Sequence, residues 1–276
     1  MTLPALQQMK REGTKVVGVV VYDYQMARIV DRAGVDIVSV GDSIGMNIWG
    51  HSNELEVTLD QMALACAAVR RGVDRALVSC DLPIGSLRQS TDGVVRAAAS
   101  LVENGADVVK VDAAAEFPDA VRAIARAGIA VWAQFGVGRV GPVGRRGLDT
   151  QDKSGAGKRD AEPARSPVDA AAEMKDELVA QATLLEEAGA SLLDFTHSGP
   201  VAGPAVASAV TIPVIGGLGG GPWLDGRIRA VVNAIGYMAA ALDDSTDRYA
   251  NVARITLDAV ATYAGDVRAA RQIRGK

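Results

Sequence analysis

The feature that most constrains the fold is a short apolar segment that runs directly into an acidic residue, and it occurs three times. The segments are 35–42, 76–81 and 107–112. Each has the length and apolar character of a strand that is covered on both faces of a parallel sheet. If the carboxyl ends of these strands meet at one edge, then Asp42, Asp81 and Asp112 share a pocket with Lys110. The sequence therefore predicts a divalent-metal site with a cationic neighbour.

The same alternation of apolar strand and helical segment continues along the chain. We predict eight strands separated by helices, with the eighth strand at residues 234–238. This pattern is typical of an α/β protein with a (β/α)₈ TIM-type barrel, and 276 residues suffice for one such barrel as a single domain over residues 1–276. Active sites of these barrels lie at the carboxyl ends of the strands. The predicted acidic residues lie at the same ends.

One stretch interrupts the alternation. Residues 136–167 are rich in Gly, Arg, Lys, Asp and Ser and poor in apolar residues. The stretch is too long and too polar for an ordinary connection in a compact domain. We interpret it as a lid-like insertion or a mobile segment.

Composition narrows the possible partners and compartment. The net charge of −4 offers no electrostatic footprint for nucleic acid or an anionic membrane. We find no apolar run long enough to span a bilayer and no pattern of a secretory signal. Cys66 and Cys80 both lie in apolar segments, which favours reduced core residues in a cytoplasmic protein.

Several motifs together resemble a known enzyme family. The blocks are 22–24, 40–46 (Val-Gly-Asp-Ser-Ile-Gly-Met), 50–51, 57–58, 68–72, 81–83, 109–110, 212–216 and 225–226. In these blocks and their spacing the chain resembles the ketopantoate hydroxymethyltransferase (3-methyl-2-oxobutanoate hydroxymethyltransferase) family. That family lies in a superfamily of metal-dependent barrels with phosphoenolpyruvate mutase and isocitrate lyase. The resemblance is nearly end to end but weaker over residues 134–200.

The resemblance implies a metal and a substrate site. Asp42 and Asp81 would bind Mg²⁺ and line the substrate position, and Asp112 would reach the metal directly or through water. The family has Glu at the position of Asp112, so the shorter side chain favours a water-bridged contact. Ser43 would hold the substrate carboxylate, and Lys110 would lie beside the keto acid. A 2-oxo acid suits such a site, because its keto and carboxylate oxygens can both bind a hard cation.

The resemblance also implies an activity and an assembly. The expected reaction is hydroxymethyl transfer from 5,10-methylenetetrahydrofolate to a branched 2-oxo acid such as 3-methyl-2-oxobutanoate, through a metal-stabilised enolate. The pathway would be pantothenate biosynthesis. The expected assembly is a large homo-oligomer, typically a decamer.

Two residues depart from the family pattern. The family has a His at the position of Gln134, which we assign to substrate binding, and a catalytic Glu that we align with Thr196. Because neither Gln nor Thr is an ordinary general base, His197 or Asp194 could substitute in proton transfer. The candidate catalytic residues are therefore Lys110, His197, Asp194 and Thr196. The alternatives that stay open are a related lyase, aldolase or mutase acting on another 2-oxo acid, and a non-catalytic paralogue that binds a keto acid.

Overall fold

The computed structural model describes residues 1–137, 166–217 and 221–269. By contacts, the chain divides into a first unit, residues 1–228, and a second unit, residues 229–276. The strands are β1 (Val16–Val21), β2 (Ile37–Val40), β3 (Leu77–Asp81), β4 (Val108–Val111), β5 (Val131–Gly136), β6 (Leu192–Thr196), β7 (Val214–Gly216) and β8 (Gly226–Ala230). The α-helices are α1 (Leu3–Glu12), α2 (Tyr24–Arg32), α3 (Leu59–Arg70), α4 (Thr91–Glu103), α5 (Pro118–Arg126), α6 (Pro167–Glu173), α7 (Lys175–Glu187), α8 (Gly199–Ala209), α9 (Val231–Ala234) and α10 (Val252–Arg268).

The eight strands form a closed barrel in chain order, and successive strands from β1 to β8 pair in parallel. The predicted (β/α)₈ barrel is confirmed. Local signals act as expected at several helix ends. Thr58 and Gln61 form a capping box at the start of α3, and Gly13 ends α1 in the left-handed region at a φ of 70°.

The position of the eighth strand was predicted wrongly. We expected it at residues 234–238, whereas β8 is Gly226–Ala230, and its last two residues belong to the second unit. In β8 the exposed Arg227 and Arg229 alternate with Ile228, which is buried. Two arginines in five residues weakened the apolar signal on which the prediction depended.

The amino-terminal end of the barrel is filled by apolar side chains. One buried cluster contains Leu6 of α1 and residues at or near the start of most strands: Val16, Ile37, Leu77, Val108, Trp132 and Leu192, together with Ile215 and Ile228. Two residues further along, five of these strands bury polar side chains instead. These are Ser39, Ser79, Lys110, Gln134 and Asp194, on β2 to β6 in turn. Since residues i and i+2 of a strand face the same side, the barrel interior is apolar at its amino end and polar at its carboxyl end.

Asp225, just before β8, forms hydrogen bonds that connect several elements at the amino end of the barrel. Its Oδ2 accepts hydrogen bonds from Lys10 Nζ and from the backbone N of Val214, each at 2.8 Å. Its backbone oxygen accepts from the N of Val16 at 2.9 Å. One side chain thus joins α1 to β7 next to the point where the barrel closes.

We expect Asp225→Ala to lower the free energy of unfolding by about 2–3 kcal/mol, because it removes two hydrogen bonds to a mostly buried charged group. Urea denaturation measures the change. The matched control is Asp176→Ala, since the Asp176 side chain is 92% exposed and its loss should change stability by less than about 0.5 kcal/mol. Equal effects of the two substitutions would contradict this role for Asp225.

Further expectations have mixed outcomes. Cys66 and Cys80 are buried and unpaired, so the prediction of core cysteines is confirmed. Within the described ranges, no helix combines the length and the apolar character needed to cross a bilayer. Of the predicted insertion at 136–167, residues 138–165 lie outside the described residues. The assignment of residues 1–276 to a single domain stays a prediction.

The second unit contains α9, a 3₁₀ turn at Ala239–Leu242 and α10. The Asn251 side chain caps α10 by accepting a hydrogen bond from the N of Arg254. Several apolar side chains of α10 are largely exposed, among them Ile255, Val260 and Tyr263.

Candidate active site

Three consecutive strands bring an acidic cluster together at the carboxyl end of the barrel. Asp42 follows β2, Asp81 ends β3 and Asp112 follows β4. One carboxylate oxygen from each lies within 4.8 Å of the other two. Asp42 and Asp81 are buried and Asp112 is partly buried. The predicted convergence of these three carboxylates is therefore what the fold produces.

Lys110 lies inside this cluster. Its ammonium nitrogen is 3.6 Å from Asp81 Oδ1 and 3.8 Å from Asp194 Oδ2, and it forms an ion pair with Asp112. Register explains the first contact, because Lys110 of β4 pairs directly with Asp81 of β3. Burial alone would lower the pKa of Lys110, but the three surrounding carboxylates outweigh burial and raise it. Lys110 is therefore a fixed positive charge.

The surroundings of Asp81 disfavour the ionised form of its carboxyl group. Burial, aided by the charge of Asp112, outweighs the lowering effect of Lys110, and together they raise the pKa of Asp81 to about 6. The backbone N of Asp42 donates to Asp81 Oδ2 at 3.2 Å. Among the described residues, the buried Oδ1 of Asp81 accepts no hydrogen bond.

This set of residues fits a hard divalent cation. Carboxylate oxygens are the ligands that Mg²⁺ prefers, and three of them converge here. A cation beside Asp81 would also satisfy the buried oxygen that lacks a donor. Asp42, Asp81 and Asp112 are therefore the residues that could hold the metal.

Asp194 and Gln134 face the same interior from the neighbouring strands β6 and β5. They are direct partners in the strand register, and Gln134 Nε2 donates to Asp194 Oδ2 at 3.2 Å. The backbone N of Gly217 donates to Asp194 Oδ1 at 3.0 Å. Burial is the main cause that raises the pKa of Asp194, while Lys110 and these hydrogen bonds oppose it. Gln134 Oε1 is buried and has no hydrogen-bond partner among the described residues.

The structure does not bring Thr196 or His197 into this cluster. The Thr196 hydroxyl donates to the backbone oxygen of Phe135 at 3.3 Å. His197 is partly buried just beyond β6, with a φ of 52°, a left-handed conformation that is uncommon for a residue with a side chain. Burial lowers its pKa. Within the described ranges, no hydrogen bond or ion pair joins either residue to the acidic cluster. Of the candidates on this strand, Asp194 is the one that reaches it.

Ser43 lies at the edge of the cluster and is held by Tyr22 and Asn47, two residues for which the sequence pattern predicts no role. Tyr22 Oη is 3.0 Å from Ser43 Oγ, and Asn47 Nδ2 donates to Tyr22 Oη at 2.7 Å. A Cβ at Gly41 would lie 2.9 Å from Ser43 Oγ and 3.7 Å from Asp81 Oδ2, so only glycine leaves room here. The position of Tyr22 directly after β1 could have indicated that it belongs to the same rim.

Comparison with known proteins identifies the family. The sequence profile described as "Ketopantoate hydroxymethyltransferase" matches residues 1–272. The chain belongs to the ketopantoate hydroxymethyltransferase family. Members of this family are enzymes of the transferase class.

Other members of the ketopantoate hydroxymethyltransferase family match the chain over most of its length. The 3-methyl-2-oxobutanoate hydroxymethyltransferase of Anaeromyxobacter dehalogenans (strain 2CP-1 / ATCC BAA-258) is 36% identical over 273 residues, covering 97% of this chain and 83% of the relative. The enzyme of the same name from Cyanothece sp. (strain PCC 7425 / ATCC 29141) is 34% identical over 270 residues, covering 96% and 95%. The family resemblance drawn from the motifs is confirmed.

Solved structures extend the family's likeness at the level of the fold. Phosphonopyruvate hydrolase in complex with oxalate and Mg²⁺ aligns with a TM-score of 0.59 at 13% identity, covering 97% of this chain and 87% of that one. A 2,3-dimethylmalate lyase, a member of the PEP mutase/isocitrate lyase superfamily, aligns with a TM-score of 0.58 at 16% identity, covering 88% and 85%. At these identities the likeness shows a shared barrel fold.

Proposed function

We propose that this chain catalyses Mg²⁺-dependent hydroxymethyl transfer from 5,10-methylenetetrahydrofolate to a branched 2-oxo acid such as 3-methyl-2-oxobutanoate. The observation that carries the proposal is the convergence of Asp42, Asp81 and Asp112, of which Asp81 and Asp112 also face the buried ammonium of Lys110. The names of the full-length relatives support the choice of reaction and substrate.

The metal would be held by the three carboxylates. When bound, Mg²⁺ supplies Lewis-acid polarisation of the substrate keto group. Two observations support this role of the metal: the ligand set contains only oxygen atoms, and the buried Asp81 Oδ1, 3.6 Å from Lys110 Nζ, accepts no hydrogen bond among the described residues.

Lys110 would stabilise the negative charge that develops on the substrate. Its amine is buried and surrounded by carboxylates that keep it protonated, so its charge is fixed before the substrate arrives. A preorganised charge in a buried site costs no rearrangement during the reaction. Ser43, next to Asp42, would donate a hydrogen bond to the substrate carboxylate.

Asp194 would remove the proton from C3 of the substrate. The electron pair of the C3–H bond passes into the enolate, and the proton goes to the Asp194 carboxylate. The enolate carbon then bonds to the methylene carbon of the donor as one of its two bonds to folate nitrogen breaks, and that nitrogen takes the proton from Asp194. Water next displaces the second folate nitrogen, so that its oxygen becomes the hydroxyl group and its proton completes tetrahydrofolate. Gln134 and the backbone N of Gly217 hold the Asp194 carboxylate, and its raised pKa makes it a better proton acceptor than an ordinary Asp.

The proposal is tested by incubating the purified protein with 3-methyl-2-oxobutanoate, 5,10-methylenetetrahydrofolate and MgCl₂. We expect a hydroxymethylated 2-oxo acid that depends on both folate and metal. No folate-dependent product would overturn the proposed transfer. If C3–H exchange with solvent persists without transfer, the proposal of a lyase, aldolase or mutase acting on another 2-oxo acid replaces that of the transferase. Gln134 favours this alternative, because the family pattern has His at that position.

Metal affinity should depend on pH in a direction set by Asp81. Because its pKa is about 6 in the folded chain against an ordinary 3.8, the native state binds the extra proton between about pH 4 and pH 6. The stability of the metal-free protein should therefore fall as the pH rises through that window, by roughly 3 kcal/mol at most. Mg²⁺ needs the ionised carboxylate, so its affinity should fall about tenfold per pH unit below about pH 6. Calorimetric titration at several pH values measures this, and an affinity that does not change would contradict it.

We also propose a cytoplasmic homo-oligomer, as the family resemblance implies. Sedimentation velocity of the purified chain tests the assembly, and a decamer is the expected species.

A further inference from the structure

A second polar group lies beside the acidic cluster and involves two side chains that the proposed reaction does not use. Tyr22 is 6% exposed and follows β1 directly. Asn47 lies in the π-helical turn Gly45–Trp49, which continues from the Asp42-Ser43 pair. The backbone N of Asn47 donates to the oxygen of Ser43 at 2.9 Å, so the turn brings the Asn47 side chain back over Tyr22.

The donor is fixed in the bond between Asn47 and Tyr22, whereas in the bond between Tyr22 and Ser43 either hydroxyl can donate. Asn47 Nδ2 donates to Tyr22 Oη, so the phenol oxygen acts as acceptor in that bond. The single phenol hydrogen is then available for Ser43 Oγ, 3.0 Å away. A serine hydroxyl that accepts from Tyr22 keeps its own hydrogen for another partner.

Two further observations agree with this direction. Burial raises the pKa of Tyr22, so the phenol keeps the hydrogen that it would donate. Gly41 leaves the space around Ser43 Oγ open on the side of Asp81 Oδ2. The Ser43 hydroxyl is thus a prepared donor next to the proposed metal ligands.

We infer that Asn47 and Tyr22 are positioning residues that set the Ser43 hydroxyl as a hydrogen-bond donor to the carboxylate of the substrate. The inference rests on the proposed function, because it takes a 2-oxo acid as the ligand. It goes beyond that function because it explains how the chain would bind the carboxylate end of the substrate. Asn47 donates to Tyr22 and Tyr22 donates to Ser43, and we call these three residues the relay. Asn47 and Tyr22 would act only through Ser43 and not by contact with the reacting carbon.

A double-mutant cycle tests the relay. The dissociation constant of 3-methyl-2-oxobutanoate is measured by calorimetry with saturating MgCl₂ for wild type, Ser43→Ala, Tyr22→Phe, Asn47→Ala and the Tyr22→Phe/Asn47→Ala double variant. Loss of a hydrogen bond to a charged group predicts roughly tenfold or more weaker binding for Ser43→Ala. Tyr22→Phe and Asn47→Ala should each weaken binding about three- to tenfold. The double variant should bind as Tyr22→Phe does, because Asn47 acts only through the phenol.

The isosteric change Asn47→Asp tests the direction of the bonds. A carboxylate at position 47 would accept the phenol hydrogen, so Ser43 would turn to donate to Tyr22 and would lose its donor role. The added negative charge also repels the substrate carboxylate. The double variant Ser43→Ala/Asn47→Asp measures this repulsion alone, because it has no serine hydroxyl to reorient. We expect Asn47→Asp to weaken binding at least about tenfold more when Ser43 is present than when it is absent.

Kinetic and stability measurements distinguish the relay from a purely structural role of Tyr22 and Asn47. In the transfer assay the variants should have a higher KM for the oxo acid and a nearly unchanged kcat. Thermal denaturation should show that the variants remain folded. Additive effects of Tyr22→Phe and Asn47→Ala, or an Asn47→Asp effect independent of Ser43, would overturn the relay. If wild type binds the oxo acid but transfers nothing, the proposed function fails while the cycle still decides the relay. If wild type does not bind the oxo acid at all, both fail.

Discussion

The Asp81→Asn variant is expected to lose metal binding and transfer activity by at least about 100-fold while remaining folded. Substituting a residue that only hydrogen-bonds to a metal ligand already lowers metal affinity or activity by about 10- to 100-fold, and Asp81 would be a ligand itself. Its carboxylate is buried beside Lys110 and belongs to the three that converge, so the substitution removes one ligand oxygen from the proposed metal site. Mg²⁺ titration and initial rates measure the two losses.

The stability of this variant separates a functional role from a structural one. Burial raises the pKa of Asp81, which means that its ionised form costs the folded state free energy at neutral pH. The metal-free Asp81→Asn variant should therefore be no more than about 1 kcal/mol less stable than wild type. Asp119→Asn is the control, since the Asp119 side chain is 95% exposed on α5. Full activity in Asp81→Asn, or unfolding of the variant, would contradict the assignment.

Lys110→Met should damage both stability and catalysis. Without the ammonium, the buried carboxylates of Asp81 and Asp194 and the partly buried carboxylate of Asp112 face one another with no compensating charge. Breaking such a buried pair costs about 3–5 kcal/mol, and we expect that loss in the metal-free protein near neutral pH. Activity should fall by at least about 100-fold, because a preorganised charge at the substrate is lost.

The recovery of stability under two conditions identifies the cause of that loss. Mg²⁺ should restore part of the stability of Lys110→Met, since it returns positive charge to the same carboxylates. Acidification to about pH 5 should also restore part of the stability, because the pKa of Asp81 is about 6 and its carboxylate takes up a proton there. Lys110→Arg is the matched control, as it keeps the charge. Equal stability of Lys110→Met with and without Mg²⁺, and at both pH values, would show that charge is not the cause.

Much of the acidic cluster could be predicted because its determinants are local. Asp42, Asp81 and Asp112 each follow an apolar strand, and parallel strands of a barrel end at one rim. Lys110 lies two residues before Asp112 on the same face of the chain as it leaves β4. The barrel followed from the repeat of strand and helix.

The remaining parts of the site depend on contacts that a linear pattern does not contain. The pairing of Gln134 with Asp194 is set by the register between β5 and β6. The Thr196 hydroxyl turns to the Phe135 oxygen, which no local signal indicates. Asn47 reaches Tyr22 only because the chain forms a π-helical turn after Ser43. Sequence periodicity reports which face a side chain occupies, but it does not report its hydrogen-bond partner.

The most direct test of the central claim follows the C3 proton of 3-methyl-2-oxobutanoate by NMR in D₂O, without folate. If the carboxylates of Asp42, Asp81 and Asp112 hold a metal that activates the keto acid, wild type should exchange this proton with MgCl₂ present. Exchange should stop when EDTA removes the metal and should be absent in Asp81→Asn. Exchange of equal rate with and without metal, or none despite measured binding of metal and oxo acid, would contradict the account.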